Sequence, residues 1–167
     1  MLIYHPYNDA NHCIYRVISI LLNVEKNEVP LTALRLCDLY YLVPSELKLI
    51  KKWPRKGSKY YKAIIEINEQ YEKIVNNKRI FFELQGIQNN TLVFLLAKGI
   101  LCNTSYTKKI VKLNIDNVPR SIKKSMQEDE FRDSMIFDLI TKELPKQRMN
   151  GVSGMKYKTD LMEYRYD

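Results

Sequence analysis

Residues 79–115 read RIFFELQGIQNNTLVFLLAKGILCNTSYTKKIVKLNI, and this stretch decides the fold class that the sequence predicts. Apolar residues spaced three and four apart indicate one helix before and one after residues 89–91, whose Asn-Asn-Thr triplet is typical of helix N-caps. Gly99 suits the position after a helix end. Beyond it, the apolar residues 100–102, a polar turn and the alternating residues 111–115 indicate a β-hairpin. Helix, turn, helix, hairpin is the order of a winged helix.

Two more helices are predicted in the first part of the chain. Residues 9–23 repeat apolar side chains at i, i+3, i+4 and i+7, with Asp9 available as the N-cap. A second helix is predicted between Pro30 and Pro44, because proline tolerates the first helical position and disfavours helical geometry in the residue before it. We therefore expect residues 1–50 to form a unit that resembles a helix-turn-helix.

The remaining sequence predicts a linker, a second unit and a tail. Residues 51–59 are basic and look like a solvated linker, whereas 60–145 should form a winged-helix-like unit with flanking helices. Within that unit, one helix with a 4-3-4-3 apolar seam is predicted over 60–74 and another over 126–143. Residues 146–167 lack sustained periodicity, so we expect a tail that is flexible or ordered only by a partner. One compact domain overall is the open alternative.

The fold class is thus mainly α with a minor β part, and composition agrees with a folded chain. The 167 residues are 46% hydrophobic and include twelve Tyr and five Phe, unlike a disordered protein. Cys13, Cys37 and Cys102 are odd in number and lie among apolar residues, which indicates buried free thiols and a reducing compartment. No secretion signal and no apolar run of membrane-spanning length is evident. We expect a soluble, cytoplasmic protein without membrane contact.

No pattern in the sequence predicts catalysis, a metal site or a cofactor. The five glycines form no phosphate-binding loop, and residues 151–154 (Gly-Val-Ser-Gly) are one residue short of a nucleophile elbow. Three isolated Cys and two His cannot supply the paired ligands of a zinc site. The adjacent His12 and Cys13 should point to different sides of a helix, which argues against a catalytic dyad. We therefore predict that the chain is not an enzyme.

A first basic cluster coincides with the predicted linker. The net charge is +8, and six basic residues fall within residues 51–62 without one acidic residue among them. Trp53 and Tyr60 are interleaved with them as stacking candidates. Such a stretch suits DNA-backbone contact or contact with an acidic partner, although a solvated linker has the same composition. The six residues are Lys51, Lys52, Arg55, Lys56, Lys59 and Lys62.

A second basic cluster, Lys108, Lys109 and Lys112, lies on the predicted wing, where contacts to a DNA backbone are common. Residues 91–98, the candidate recognition helix, are almost wholly apolar and offer no side chains that would hydrogen-bond base edges. Any DNA contact should therefore be non-specific and made to the backbone. We expect assembly with other proteins to be the main role and DNA contact to be secondary.

Three segments resemble a known family. They are residues 4–16, which include YHPYND and HCIYR, residues 35–44 (RLCDLYYLVP), and residues 80–101, from IFFELQ to LLAKGIL. These segments resemble the small middle component of bacterial ABC-three-component systems, a group that includes the Lamassu anti-phage and anti-plasmid complexes. The likeness extends over roughly the first 115 residues. It implies winged-helix architecture and a non-catalytic adaptor that bridges an SMC-like coiled-coil ATPase and an effector, often a nuclease, in a DNA-sensing complex.

The polar residues of these segments, Asp9, His12, Arg16, Arg35 and Asp38, carry no catalytic role over from the family. They can equally be structural, and Arg35 and Asp38 are spaced to pair on one helix. The alternative to an adaptor is a free-standing winged-helix DNA-binding regulator, which the apolar candidate recognition helix disfavours.

Overall fold

The computed structural model describes residues 8–68 and 77–161, and this part of the chain is mainly helical with one small antiparallel sheet, as predicted. Its α-helices and strands are α1 Ala10–Asn23, β1 Glu28–Pro30, α2 Leu31–Leu42, α3 Lys59–Ile65, α4 Asn77–Ala97, α5 Asn103–Tyr106, β2 Ile110–Lys112, α6 Arg120–Gln127, α7 Met135–Asp138 and α8 Met155–Thr159. Short 3-10 helices lie at Glu25–Asn27, Pro44–Leu49, Ile115–Asn117, Glu130–Asp133 and Leu144–Lys146, and a π-helical turn lies at Leu139–Glu143.

The first two helices confirm the predictions made from their caps. α1 begins where the Asp9 side chain accepts a hydrogen bond from the backbone N–H of His12 at 3.1 Å. α2 lies between Pro30 and Pro44, as the restrictions that proline places on its neighbours require. α1 packs against both α2 and α4, and α2 also packs against α4, so these three helices form the centre of the molecule.

The break predicted at residues 89–91 is wrong, because α4 runs through them as one helix of 21 residues. Leu84, Gln88, Thr91 and Leu95 are all buried and follow one another at helical spacing across the Asn-Asn pair. Residues that favour caps do not end a helix whose buried face continues on both sides of them. The order helix, turn, helix, on which the winged-helix prediction for this region rested, is therefore not present.

The end of α4 follows the prediction for Gly99. This glycine has a φ of +68°, a left-handed conformation that a residue without Cβ adopts at little cost. The N–H of Gly99 donates to the carbonyl of Leu96, and the N–H of Ile100 donates to the carbonyl of Leu95. These two bonds form a Schellman motif, which turns the chain away from the helix axis.

The sheet pairs segments that lie far apart in the sequence. β2 pairs antiparallel with β1, and Val29 is opposite Val111. The predicted hairpin contact is retained as a single bridge between Leu101 and Leu113. The backbone N–H of Leu31 donates to the carbonyl of Lys109 at 2.9 Å, so the first residue of α2 is tied to the turn that precedes β2.

Two helices differ from the sequence prediction. α3 ends at Ile65, short of the predicted 60–74 helix, and the seam residues Tyr71 and Ile74 lie outside the described residues. The helix predicted over 126–143 is interrupted, because the side chains of Asp129 and Ser134 each cap a new helical turn. As a result Met135 is exposed, whereas Leu139 and Ile140 are buried.

Part of the predicted tail packs against the rest of the chain. Met155 is fully buried and Leu161 nearly so, because α8 packs into the hydrophobic core. The carbonyl of Lys158 accepts a hydrogen bond from the N–H of Lys51 at 3.0 Å, which places α8 beside the basic linker. Residues 162–167 lie outside the described part. One hydrophobic cluster contains residues from each predicted unit. The division of the chain into units remains a prediction.

A proline at position 90 tests the continuity of α4. The Asn90→Pro substitution removes a helix-interior N–H and should lower the free energy of unfolding by about 3 kcal/mol or more, as measured by urea denaturation. With a helix start at 89–91, proline at this position would be tolerated. The matched control Asn90→Ala should cause no loss of stability, because alanine has the higher helix propensity. A mild effect of the proline would contradict a continuous α4.

Candidate functional site

A groove with a volume of about 620 Å³ opens between the N-terminus of α2, the first half of α4 and the turn before β2. Its apolar part consists of Leu31, Phe81, Phe82 and Ile110. Phe81 faces the core, whereas the neighbouring Phe82 keeps 53% of its surface exposed. The groove therefore presents one large aromatic side chain to solvent beside an apolar floor.

The charged part of this groove is entirely basic. Arg35, Lys108, Lys109 and Lys156 line it, and no carboxylate is among the described residues that do so. Burial lowers the pKa of Arg35, and its Nη2 donates to Oδ1 of Asn89 at 2.8 Å. Among the described residues, this partly desolvated guanidinium bonds to a neutral amide and pairs with no carboxylate, so its charge can still attract an anion.

Local backbone geometry brings the two lysines of the turn to the groove. After α5, the N–H of Lys109 donates to the carbonyl of Tyr106, and Lys109 takes a left-handed φ of +58°. The bond from Leu31 to the carbonyl of Lys109 then fixes this turn against α2. Lys112, the third residue of the predicted cluster, is not part of the groove, because its Nζ lies 3.2 Å from Oε2 of Glu28.

The first basic cluster lies on the surface. Most of its residues are in the turns that connect the Pro44–Leu49 3-10 helix to α3. Its six cations, Lys51, Lys52, Arg55, Lys56, Lys59 and Lys62, are all exposed. The stacking candidates are partly buried: Trp53 packs against the core and lines a cavity of about 350 Å³, and the Lys59 ammonium lies 4.9 Å from the centre of the Tyr60 ring.

α8 lies next to both basic clusters, which the sequence did not predict. Lys156 lines the groove with Lys108 and Lys109, while the next residue, Tyr157, has the Lys51 ammonium 5.5 Å from its ring centre. The only signal in the sequence was the run Lys-Tyr-Lys at 156–158, within a tail expected to lack a fixed place.

A buried ion pair connects the three central helices. Arg16 of α1 donates from Nε to Oδ1 of Asp38 at 2.6 Å and from Nη2 to Oδ2 at 3.2 Å, and neither side chain has any exposed surface. Gln88 of α4 donates from Nε2 to the same Oδ2 at 2.8 Å. The predicted pairing of Asp38 with Arg35 is wrong, because Asp38 faces inward and Arg35 lies on the groove side of α2.

His12 completes this network as a hydrogen-bond acceptor. Nη1 of Arg16 lies 2.8 Å from Nδ1 of His12, and a guanidinium has only donors, so Nδ1 must be unprotonated. Burial, and after it the charge of Arg16, lowers the pKa of His12 in agreement with a neutral ring. With Asp9 capping α1, the five polar residues singled out in the sequence all bond within the chain.

Among models of known protein families, the one described as ABC-three component (ABC-3C) system Middle Component 5 matches residues 2–167. The chain belongs to this family. The match confirms the resemblance to ABC-three-component middle components and extends it from the first 115 residues to nearly the whole sequence. No curated protein and no solved structure matches the chain significantly.

Two of the three thiols of this middle component are buried, as expected, whereas Cys102 is partly exposed and hydrogen bonding with Ser105 lowers the pKa of its thiol. Over residues 8–68 and 77–161, no group of three or more His, Cys, Asp or Glu side chains could hold a metal ion. Burial raises the pKa of the Cys13 thiol to about 11, and it also raises the pKa of Cys37, whose Sγ lies 3.2 Å from the carbonyl of Ile140. No helix in those residues is both long enough and apolar enough to span a membrane.

Removing one partner of the buried pair should be much more harmful than removing both. Asp38→Ala leaves the Arg16 charge buried and unpaired, so it should lower the free energy of unfolding by about 3–5 kcal/mol in urea denaturation. Adding Arg16→Met to Asp38→Ala should recover most of the loss.

Asp116→Ala, at an exposed position, is the control and should change stability by at most about 0.5 kcal/mol. A double variant as unstable as Asp38→Ala alone would contradict this account of the pair.

Proposed function

We propose that this middle component is the non-catalytic adaptor of a cytoplasmic, Lamassu-type defence complex, in which it bridges an SMC-like coiled-coil ATPase and an effector nuclease. The observation that carries the proposal is membership of the ABC-three-component middle-component family over residues 2–167. A middle component of a multi-component system implies partner subunits, and a bridging subunit needs surfaces for more than one of them.

Two surface regions with different chemistry support a bridging role. One is the basic groove described above. The other is the cavity at Trp53, where Ile65 keeps 58% of its surface exposed. Large apolar side chains left in solvent beside charged ones are typical of protein interaction sites.

The first basic cluster supports a contact with the DNA backbone. In the described part of the chain, Lys52, Arg55, Lys56 and Lys62 form no ion pair with a carboxylate. Such cations bind phosphates through charge alone and do not distinguish bases. The regulator alternative is weaker, because Val93 and Phe94, exposed on α4, cannot hydrogen-bond base edges.

The adaptor role predicts a stable assembly. When the tagged full-length chain is co-expressed with the proteins encoded beside its gene, we expect a coiled-coil ATPase and a nuclease to co-purify and to elute together with it in size-exclusion chromatography. An isolated chain that forms a homodimer and binds one DNA sequence at nanomolar concentration would overturn the proposal in favour of a regulator.

The assembled complex should bind DNA with a strong dependence on salt. Each phosphate contact contributes about 0.9 to the slope of log affinity against log salt, so the triple variant Lys52→Glu, Arg55→Glu, Lys56→Glu should reduce the slope by about 2 to 3. A second triple variant with the same change of charge, Lys26→Glu, Lys98→Glu, Lys124→Glu, should leave the slope nearly unchanged. Equal slopes for all three complexes in a titration from low to high salt would show that the cluster does not contact DNA.

A further inference from the structure

We propose that the groove between α2, α4 and the turn before β2 is the docking site for an acidic segment of a partner subunit, with one or two large apolar side chains flanked by carboxylates. This inference rests on the proposed adaptor function and assigns one partner contact to a defined surface.

The apolar part of the groove favours binding of an apolar side chain of the partner. Phe82 stands 53% exposed beside Leu31 and Ile110, on a helix whose other aromatic residue at this level, Phe81, is buried. An exposed aromatic ring at the edge of an apolar cavity can contribute strongly to the free energy of binding, because complex formation removes the apolar surfaces of both partners from water.

The charges of the groove determine the chemistry of the segment. Arg35, Lys108, Lys109 and Lys156 converge on the apolar floor, with no carboxylate among the described lining residues. α2 also begins here without a side-chain cap. Its first N–H donates to the carbonyl of Lys109, and the next amide groups of the first turn add positive potential. The inserted apolar side chain would remove water from the cations on the rim. Carboxylates on either side of it would pair with these cations and so compensate for the loss of water.

Other occupants fit this surface less well. A second copy of the chain has a net charge of +8 and would be repelled by the groove. A nucleic-acid backbone would satisfy the lysines but would leave the Phe82 ring and the floor beneath it uncovered. The combination of four cations with an apolar floor therefore favours an acidic protein segment.

Binding to the purified partner subunits tests the groove by substitution. Phe82→Asp, and separately the pair Lys108→Glu, Lys156→Glu, should weaken the affinity of the full-length chain for one partner by about tenfold or more. Matched controls are Val93→Asp, which is 62% exposed on the same helix outside the groove, and the pair Lys98→Glu, Lys124→Glu. The controls should stay within about twofold of the original affinity, and circular dichroism melts should show that each variant is folded.

A photo-crosslink identifies the occupant. With p-benzoylphenylalanine in place of Phe82, irradiation of the assembled complex should attach the chain to a partner segment that carries at least two Asp or Glu residues near a large apolar residue. An adduct with DNA would show that the groove binds nucleic acid. An intact complex without a partner adduct, or groove variants that bind as well as the controls, would overturn the docking site and leave the adaptor role standing. Failure of the unmodified chain to bind any partner would instead overturn the adaptor role.

Discussion

The ion pair between Arg16 and Asp38 is the constraint on which the arrangement of the central helices depends. Both groups are withdrawn from water, which costs several kcal/mol per ion, and only a close, fully hydrogen-bonded geometry offsets that cost. Asp38 reaches this geometry with Arg16 of α1 and Gln88 of α4, and Arg16 directs its remaining bond to His12. A shift of α1 against α2 would separate the two charges, and a shift of α4 would remove one hydrogen bond from the buried carboxylate. We therefore expect the pair to contribute more to a unique arrangement of α1, α2 and α4 than to net stability.

The surface follows from this fixed core. Because Asp38 and Gln88 hold α2 and α4 together, the N-terminus of α2 lies beside the first half of α4, and Leu31 and Phe82 come to line one groove. β1 leads directly into α2, and its pairing with β2 brings the turn at Lys109 to the same place. Residues from four separate parts of the sequence thereby form one basic, partly apolar surface.

Local signals predicted much of the fold, and the contacts between distant residues explain what they missed. Asp9 and Gly99 marked helix ends correctly, since caps depend on a few neighbouring backbone groups. The same reasoning failed at residues 89–91, where burial of Gln88 and Thr91 decides the conformation and a single sequence does not reveal burial. It also could not pair β1 with β2 or connect Arg16 with Asp38. Of the groove, the sequence singled out Arg35, Lys108 and Lys109, but the part played by Phe82 and Lys156 required the fold.

The described parts of the three segments that resemble the family form the junction of the central helices. Residues 4–16, 35–44 and 80–101 supply Arg16, Asp38 and Gln88, so the likeness describes how the central helices pack. The cations of the groove come mainly from elsewhere: Lys108 and Lys109 precede β2, and Lys156 belongs to α8. Because these cations belong to peripheral elements, they can change without disturbing the buried ion pair. Selectivity for a particular partner should accordingly lie in the rim, and the common architecture in the buried junction.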